Sequence, residues 1–217
     1  PLTPQQDYLS EDVAQRVNRF LEYRAANHAD EPFFLYLAHP AAHGPIQSRA
    51  DDLAYFKQKA KRSDLIGHKK SPEYAGLIKG MDRSIGQILD KLDALELAND
   101  TAVIFISDNG GHPVFTRNSP LRGGKSMLYE GGIRVPMIVR WPGHTEPGTV
   151  CDVTSDIADI HPTLMEIACV DYSDFKADAT TDGESLTPLF SDLENRNGAY
   201  RRDAFYQFYG KLGYKGF

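Results

Sequence analysis

Asp108 and Asn109 stand side by side directly after the apolar run Ala102–Ile106, with Gly110 and Gly111 behind them. Carboxylate and amide oxygens are the donors a hard cation such as Ca²⁺ or Mg²⁺ prefers. Further along, Pro120-Leu121-Arg122-Gly123-Gly124-Lys125 sets two cations among two more glycines. A lysine in such a loop is a compact point charge that suits an oxyanion. Two imidazoles, His39 and His43, share the short loop His39-Pro40-Ala41-Ala42-His43-Gly44-Pro45, which follows a second apolar run at Phe33–Ala38. Imidazoles placed so can bind metal, act as acid and base, or cap the loop. Each group also has a plainer reading taken singly: Asp108 as a helix cap, Asn109 as a turn former, Lys125 as a solvated charge.

The elements that must position these groups follow from the pattern around them. Ala102–Ile106 is short, β-branched and aromatic, and reads as a buried strand. Asp108 and Asn109 then fall at a strand's carboxyl end, the edge where open α/β sheets bind ligands. Pro32–Ala38 reads as another buried strand, and Met137–Val139 as a third. Ser10, Glu11 and Asp12 open a helix in which Val13, Val17, Phe20 and Leu21 share one face, with Ser10 as N-cap. Ser71-Pro72-Glu73 opens a longer helix with an apolar stripe of Leu77, Ile78, Met81, Ile85, Ile88, Leu89 and Leu92. A helix followed by a strand is the unit of a largely parallel sheet. Residues 46–70 are charged and read as an irregular, solvated excursion. Val153–Ala168 carries another helical pattern, with His161 as a local capping or packing residue.

Composition narrows the function classes. With 217 residues the chain can build one good-sized core. A net charge of −6 without a basic stripe argues against a nucleic-acid binder. No apolar run reaches the roughly 20 residues of a membrane helix. Cys151 and Cys169 lack metal-ligand spacing and are expected as buried thiols, with a disulfide as the alternative.

Ser107-Asp108-Asn109-Gly110-Gly111, then Pro120–Lys125, then Leu128–Gly143 (LYEGGIRVPMIVRWPG), in that order and spacing, resemble the sulfatase family of the alkaline-phosphatase-like superfamily. The likeness extends to Phe33–His43, to the helix before the central strand, and to Asp182–Phe190. It implies an α/β fold, a mostly parallel sheet flanked by helices, incomplete at both ends. Residues 1–200 would be a C-terminal part of the catalytic domain, and 201–217 the beginning of the small C-terminal subdomain, with a first strand at Ala204–Tyr209.

The resemblance also assigns roles. Asp108 and Asn109 would be metal ligands, with Ca²⁺ expected and Mg²⁺ the alternative. Lys125 would bind the sulfate and assist the leaving oxygen. His43 would hydrogen-bond or protonate that oxygen, although the family's usual proline before it is Ala42 here. His39 would support the groups that touch the substrate or be structural. His112 and Arg117 are candidates for facing the substrate. The family's nucleophile is a formylglycine made from Cys or Ser in a Cys/Ser-x-Pro-x-Arg setting. Neither Cys151 nor Cys169 has that setting, and Ser119-Pro120-Leu121-Arg122 belongs to the Lys125 loop. The family's early aspartate pair and Gly-Lys-Trp-His segment are not found either. The expectation is therefore a sulfuric ester hydrolase, cleaving an aryl sulfate or a sulfated sugar, whose formylglycine lies on a missing N-terminal part. The chain alone would be inactive without that half. A phosphate or phosphonate ester hydrolase, or a non-catalytic fragment that binds sulfated ligands, are the alternatives. No nucleic acid or membrane span is expected as a partner. By family analogy the protein would be periplasmic, extracellular or lysosomal.

Overall fold

Helix α1, Leu9–Asn27, buries Ser10, Ala14, Val17 and Leu21, a line at helical spacing. In the computed structural model, which describes residues 8–62, 71–170 and 182–191, this helix packs on α3, Pro72–Ala94. The N-cap of α1 is Tyr8 rather than Ser10, and no side chain caps it. Ser10 is drawn inside instead, on the same face as Ala14 and Val17. Helix α3 starts where its sequence predicts, with Ser71 at the N-cap and Pro72 in the first turn. Its buried line is Gly76, Leu77, Gly80, Ser84 and Leu92, so the expected apolar stripe is interleaved with small residues. A Cβ on Gly80 would lie 2.6 Å from the Tyr8 ring, and one on Gly76 would lie 2.5 Å from Ser48 Cβ. Small side chains thus let neighbouring segments lie against the helix.

The charged stretch expected to be irregular contains a helix, α2, Ala50–Lys59, packed on α3. Asp51 and Asp52 occupy its first turn and Lys57 and Lys59 its last, which matches the helix dipole at both ends. Its anchor is Asp52, whose side chain is 2% exposed. Lys79 reaches it at 2.8 Å, and Arg83 Nη2 reaches its two oxygens at 3.0 and 2.8 Å. Asp51, Lys57, Lys59 and Lys61 are exposed as expected, and Asp52 alone of these charges is buried.

The described residues fall into two compact units. The first, from Pro1–Thr101 and Ile106–Met137, holds α1, α2, α3 and the one-turn helix α4, Glu130–Ile133. The second, from Ala102–Phe105 and Ile138–Phe217, holds most of strand β1, Val103–Ile106, and of strand β2, Met137–Arg140. It also holds α5, Ile160–Ile167, and α6, Pro188–Ser191. There Asp156 and Asp159 form a capping box on the 3₁₀ turn that leads into α5. Asp159 also accepts from the Glu184 N–H at 2.9 Å, and Thr163 Oγ1 accepts from the Leu186 N–H at 2.8 Å. Those bonds seat Leu186, Leu189 and Phe190 in the core.

Strands β1 and β2 pair with each other. The Ser107 N–H donates to the Pro136 carbonyl at 3.4 Å, which puts the end of β1 beside the start of β2, so the pair is antiparallel. A mostly parallel sheet is therefore not what the described strands display. The link from 107 to 136 doubles back through turns and α4, whereas a parallel pair needs a crossover laid along the sheet. Pro32–Ala38, expected as a buried strand, lies outside any helix or strand. Phe34 is 70% and Tyr36 81% exposed. A strand exists only with a neighbour to bond, and among the described residues none offers this run a ladder. Cys151 and Cys169 are both free and exposed, against the expected burial. The expected subdomain at 201–217, with its strand at Ala204–Tyr209, lies outside the described residues.

Candidate functional site

Asp108 and Asn109 sit one residue beyond Ser107, where the β1 ladder ends. Ser107 Oγ donates to the Asn109 carbonyl at 2.9 Å and closes the turn. Asp108 is exposed and Asn109 half-buried. The Asn109 amide nitrogen donates to Asp108 Oδ1. Asn109 Oδ1 is buried and meets no donor among the described residues. An orphaned buried amide oxygen carries a desolvation cost that a cation ligand does not. Its neighbour is a carboxylate with a second oxygen to give. That donor set, all oxygen, fits a hard cation. Among the described residues no three His, Cys, Asp or Glu side chains cluster as a complete metal centre.

The turn is tied to the Lys125 loop through the backbone. The Lys125 N–H donates to the Gly111 carbonyl at 3.1 Å, the Gly110 N–H to the Gly132 carbonyl at 2.9 Å, and the Gly131 N–H to the Arg122 carbonyl at 2.7 Å. These approaches demand glycine: a Cβ on Gly110 would fall 1.8 Å from the Gly131 oxygen. Lys125 is half-buried, and its ammonium has no ion-pair partner among the described residues. Arg122, the other cation of the loop, lies over the Tyr129 ring at 3.9 Å. A cation held on an aromatic face is committed there, which leaves Lys125 as the loop's available charge.

His43 is exposed, with Nδ1 3.0 Å from the Gly44 carbonyl and its N–H donating to the Pro40 carbonyl at 3.0 Å. Nδ1 therefore carries the proton in the neutral ring, and Nε2 faces away from that bond. No hydrogen bond or ion pair among the described residues links His43 to Asp108, Asn109 or Lys125. His39 Nδ1 accepts from the Ala41 N–H at 3.2 Å, and burial pushes its pKa down. Its Nε2 is buried without a hydrogen-bond partner among the described residues.

His112 is exposed, and its Nδ1 accepts from the Val114 N–H at 3.1 Å. Its ring tilts against Phe115 at 5.4 Å, and Phe115 stacks on Tyr74 at 5.8 Å. This aromatic group was not foreseen, because Tyr74 lies in a distant helix. Arg117 is exposed and lines an open cavity of about 320 Å³ with Asn118, Ser119, Leu121, Gly123 and Met127. A larger cavity, about 450 Å³, is lined by Glu11, Gln15, Asn18, Gln87, Asp90 and Lys91 of α1 and α3. Neither cavity is lined by Asp108, Asn109, Lys125 or His43; the smaller one is bordered by residues of the segment that leads to Lys125.

The model of the sulfatase family matches residues 1–170. The chain belongs to the sulfatase family. A sulfatase of Formosa agariphila is 34% identical over 215 residues, covering 94% of this chain and 37% of the relative. Human arylsulfatase H is 37% identical over 175 residues, covering 76% of this chain and 28% of the relative. The crystal structure of Ps i-CgsB superposes with a TM-score of 0.75 at 30% identity, covering 87% of this chain and 39% of that one. This sulfatase chain therefore spans about a third of the length of the relatives it matches. Its α/β architecture is the alkaline-phosphatase-like one that its motifs led us to expect.

Proposed function

We propose that the whole protein hydrolyses sulfate esters, and that this chain supplies part of its metal- and sulfate-binding apparatus. The observation that carries the reading is the pairing of two unsatisfied groups on bonded loops. Among the described residues Asn109 Oδ1 has no donor and Lys125 Nζ has no counter-ion, and the Lys125 N–H bonds the Asn109 turn at Gly111. Asp108 and Asn109 would hold a divalent cation, Ca²⁺ or in its place Mg²⁺, whose contribution is to polarise the sulfuryl oxygens. A formylglycine on a segment outside these residues would supply the nucleophile.

The chain's own side chains have three tasks. Lys125 places a positive charge on the sulfate oxygens, which matters most as negative charge builds in the transition state. Asp108 would give the cation its second carboxylate oxygen, since Oδ1 already accepts from the Asn109 amide. His43, whose Nδ1 is engaged by Gly44, would offer Nε2 to the leaving oxygen as the S–O bond breaks. The remaining cation ligands would come from outside this chain, and the mostly parallel sheet expected from the family would be completed there as well.

For the substrate class, sulfated sugars are favoured. Ps i-CgsB has been crystallised in complex with k-i-k-neocarrahexaose, and its chain is similar to this one at 29% identity with a TM-score of 0.74. Another similar structure, at 25% identity, is described under the metabolism of multiple glycosaminoglycans. His112, with Phe115 and Tyr74 behind it, offers a ring surface of the kind that sugar faces pack on.

The test is a comparison of two esters. The whole protein, with Ca²⁺, is expected to release sulfate from an aryl sulfate far faster than phosphate from the matching aryl phosphate. Faster phosphate release would overturn the reading. The 217-residue chain alone is expected to release neither.

A further inference from the structure

We propose that Asn118 is a positioning residue that holds Lys125 against the Asp108–Asn109 turn; this deepens the sulfate-ester reading and rests on it. The Asn118 side chain makes three hydrogen bonds, and they reach both loops. Its Oδ1 accepts from the Gly111 N–H at 3.0 Å. Its Nδ2 donates to the Gly111 carbonyl at 2.9 Å and to the Gly123 carbonyl at 3.0 Å. Gly111 ends the turn that begins with Asp108, and Gly123 lies two residues before Lys125. One amide thus fastens the cation-binding turn to the sulfate-binding loop.

The chemistry requires an amide. Two carbonyls and one N–H converge on the site, so it needs two donors and one acceptor in a plane. Aspartate would bring the acceptor without the donors, and serine has one hydrogen to give. Space is equally restricted. A Cβ on Gly124 would lie 2.7 Å from Asn118 Nδ2 and 2.6 Å from the Gly111 oxygen, and one on Gly111 would lie 2.8 Å from Asn118 Oδ1. The amide is boxed in by glycines on both loops.

The need for such a clamp follows from Lys125 itself. Its side chain has no ion pair among the described residues to aim it, so its aim is inherited from its backbone. That backbone is held by its own bond to the Gly111 carbonyl at 3.1 Å. Asn118 bonds the same carbonyl. Loss of the amide releases the acceptor on which the Lys125 N–H depends, and a lysine displaced by about an ångström forfeits much of its effect on the transition state. Asn118 never has to touch the substrate.

The experiment compares Asn118→Ala and Asn118→Asp with the wild type in the whole protein, by amide hydrogen exchange and by kinetics on an aryl sulfate. In Asn118→Ala the amides of Gly111 and Lys125 are expected to exchange at least about fivefold faster, as a lost hydrogen bond implies. Core amides of Val17 and Leu77 should be unmoved. In Asn118→Asp the acceptor survives, so Gly111 should keep its protection while Lys125 loses it. Asn118→Ala is expected to lower kcat/KM by about a hundredfold. In a Lys125→Arg background, which keeps a cation, the same change should cost about threefold, because the two residues act as one unit. An unchanged Lys125 amide in both variants overturns the proposal, and so does an equal kinetic loss in both backgrounds. If the wild type cleaves no sulfate ester, the sulfatase reading fails, while the exchange experiment still decides whether Asn118 holds Lys125.

Discussion

The backbone N–H of Lys125 donates to the carbonyl of Gly111 at 3.1 Å, so a cation and an amide oxygen that both lack partners among the described residues stand on bonded loops. Around that bond three glycine pairs interlock: Gly110–Gly111, Gly123–Gly124 and Gly131–Gly132. Each pair sits where backbone approaches backbone too closely for a side chain. The glycines are what bring a strand end, a loop and a one-turn helix within bonding distance.

Gly132→Ala tests this interlock. Its Cβ would lie 2.0 Å from the Met127 oxygen and 2.5 Å from the Gly124 oxygen, both backbone atoms without room to yield. The variant is expected to lose about 2–3 kcal/mol of stability, at the upper end for overpacking. It should also lose turnover of an aryl sulfate. Denaturant unfolding and steady-state kinetics check both. Full activity would mean that the loops need not meet.

Lys125→Ala should separate activity from stability. The ammonium has no ion-pair partner among the described residues, so unfolding free energy should stay within about 0.5 kcal/mol of the wild type. Removing a group that acts on developing charge should lower kcat by about a hundredfold or more. A marked change in melting temperature would show a packing role instead.

Much of the layout of these loops was legible in the sequence because glycine pairs and strand ends leave local marks. The order of Asp108, Asn109, Lys125 and Tyr129–Pro136 was sufficient to name the turn, the cationic loop and the strand after it. Helix α3 was legible from Ser71, Pro72 and its apolar spacing. What escaped was set by partners far away in the chain. Asp52 looks like a solvated carboxylate until Lys79 and Arg83 arrive from α3, and nothing in the sequence marks Asn118 until both loops close on it. Ser10 looked like a cap because capping is local, whereas its burial against neighbouring helices is not. The Phe33–Ala38 run carries a strand pattern that needs a ladder the described residues do not provide.

Asn109→Ala should reveal a cation by its effect on stability. In chelator the wild type carries a buried amide oxygen without a donor, so the variant is expected to be as stable as the wild type or slightly more so. With Ca²⁺ at about a hundred times its dissociation constant, binding should stabilise the wild type by about 2.7 kcal/mol. The variant should gain less. Thermal unfolding with and without Ca²⁺, and direct titration, provide the measurement. An identical Ca²⁺ response in both proteins would remove Asn109 from the ligand set.

Asp52 gives the helical unit a defined acid sensitivity. Burial pushes its carboxyl pKa up, but hydrogen bonds from Lys79 and Arg83 outweigh burial and hold it below the ordinary value. A folded-state pKa below the unfolded one stabilises above the unfolded value, about 3.9, and that stabilisation is lost as pH falls through the folded value. Asn at this position keeps the shape and removes the charge, leaving two cations facing a neutral amide. Lys79 is 43% exposed and loses less than Arg83, at 29%, so Asp52→Asn is expected to cost about 2–3 kcal/mol, below the usual range for a broken buried pair. Urea unfolding at pH 7 and at pH 5 should return the same difference between the two proteins. Below about pH 4 the wild type should lose its advantage, and the two curves should converge. A difference that persists undiminished at pH 2 would mean that packing around Asp52, and not its charge, secures α2 to α3.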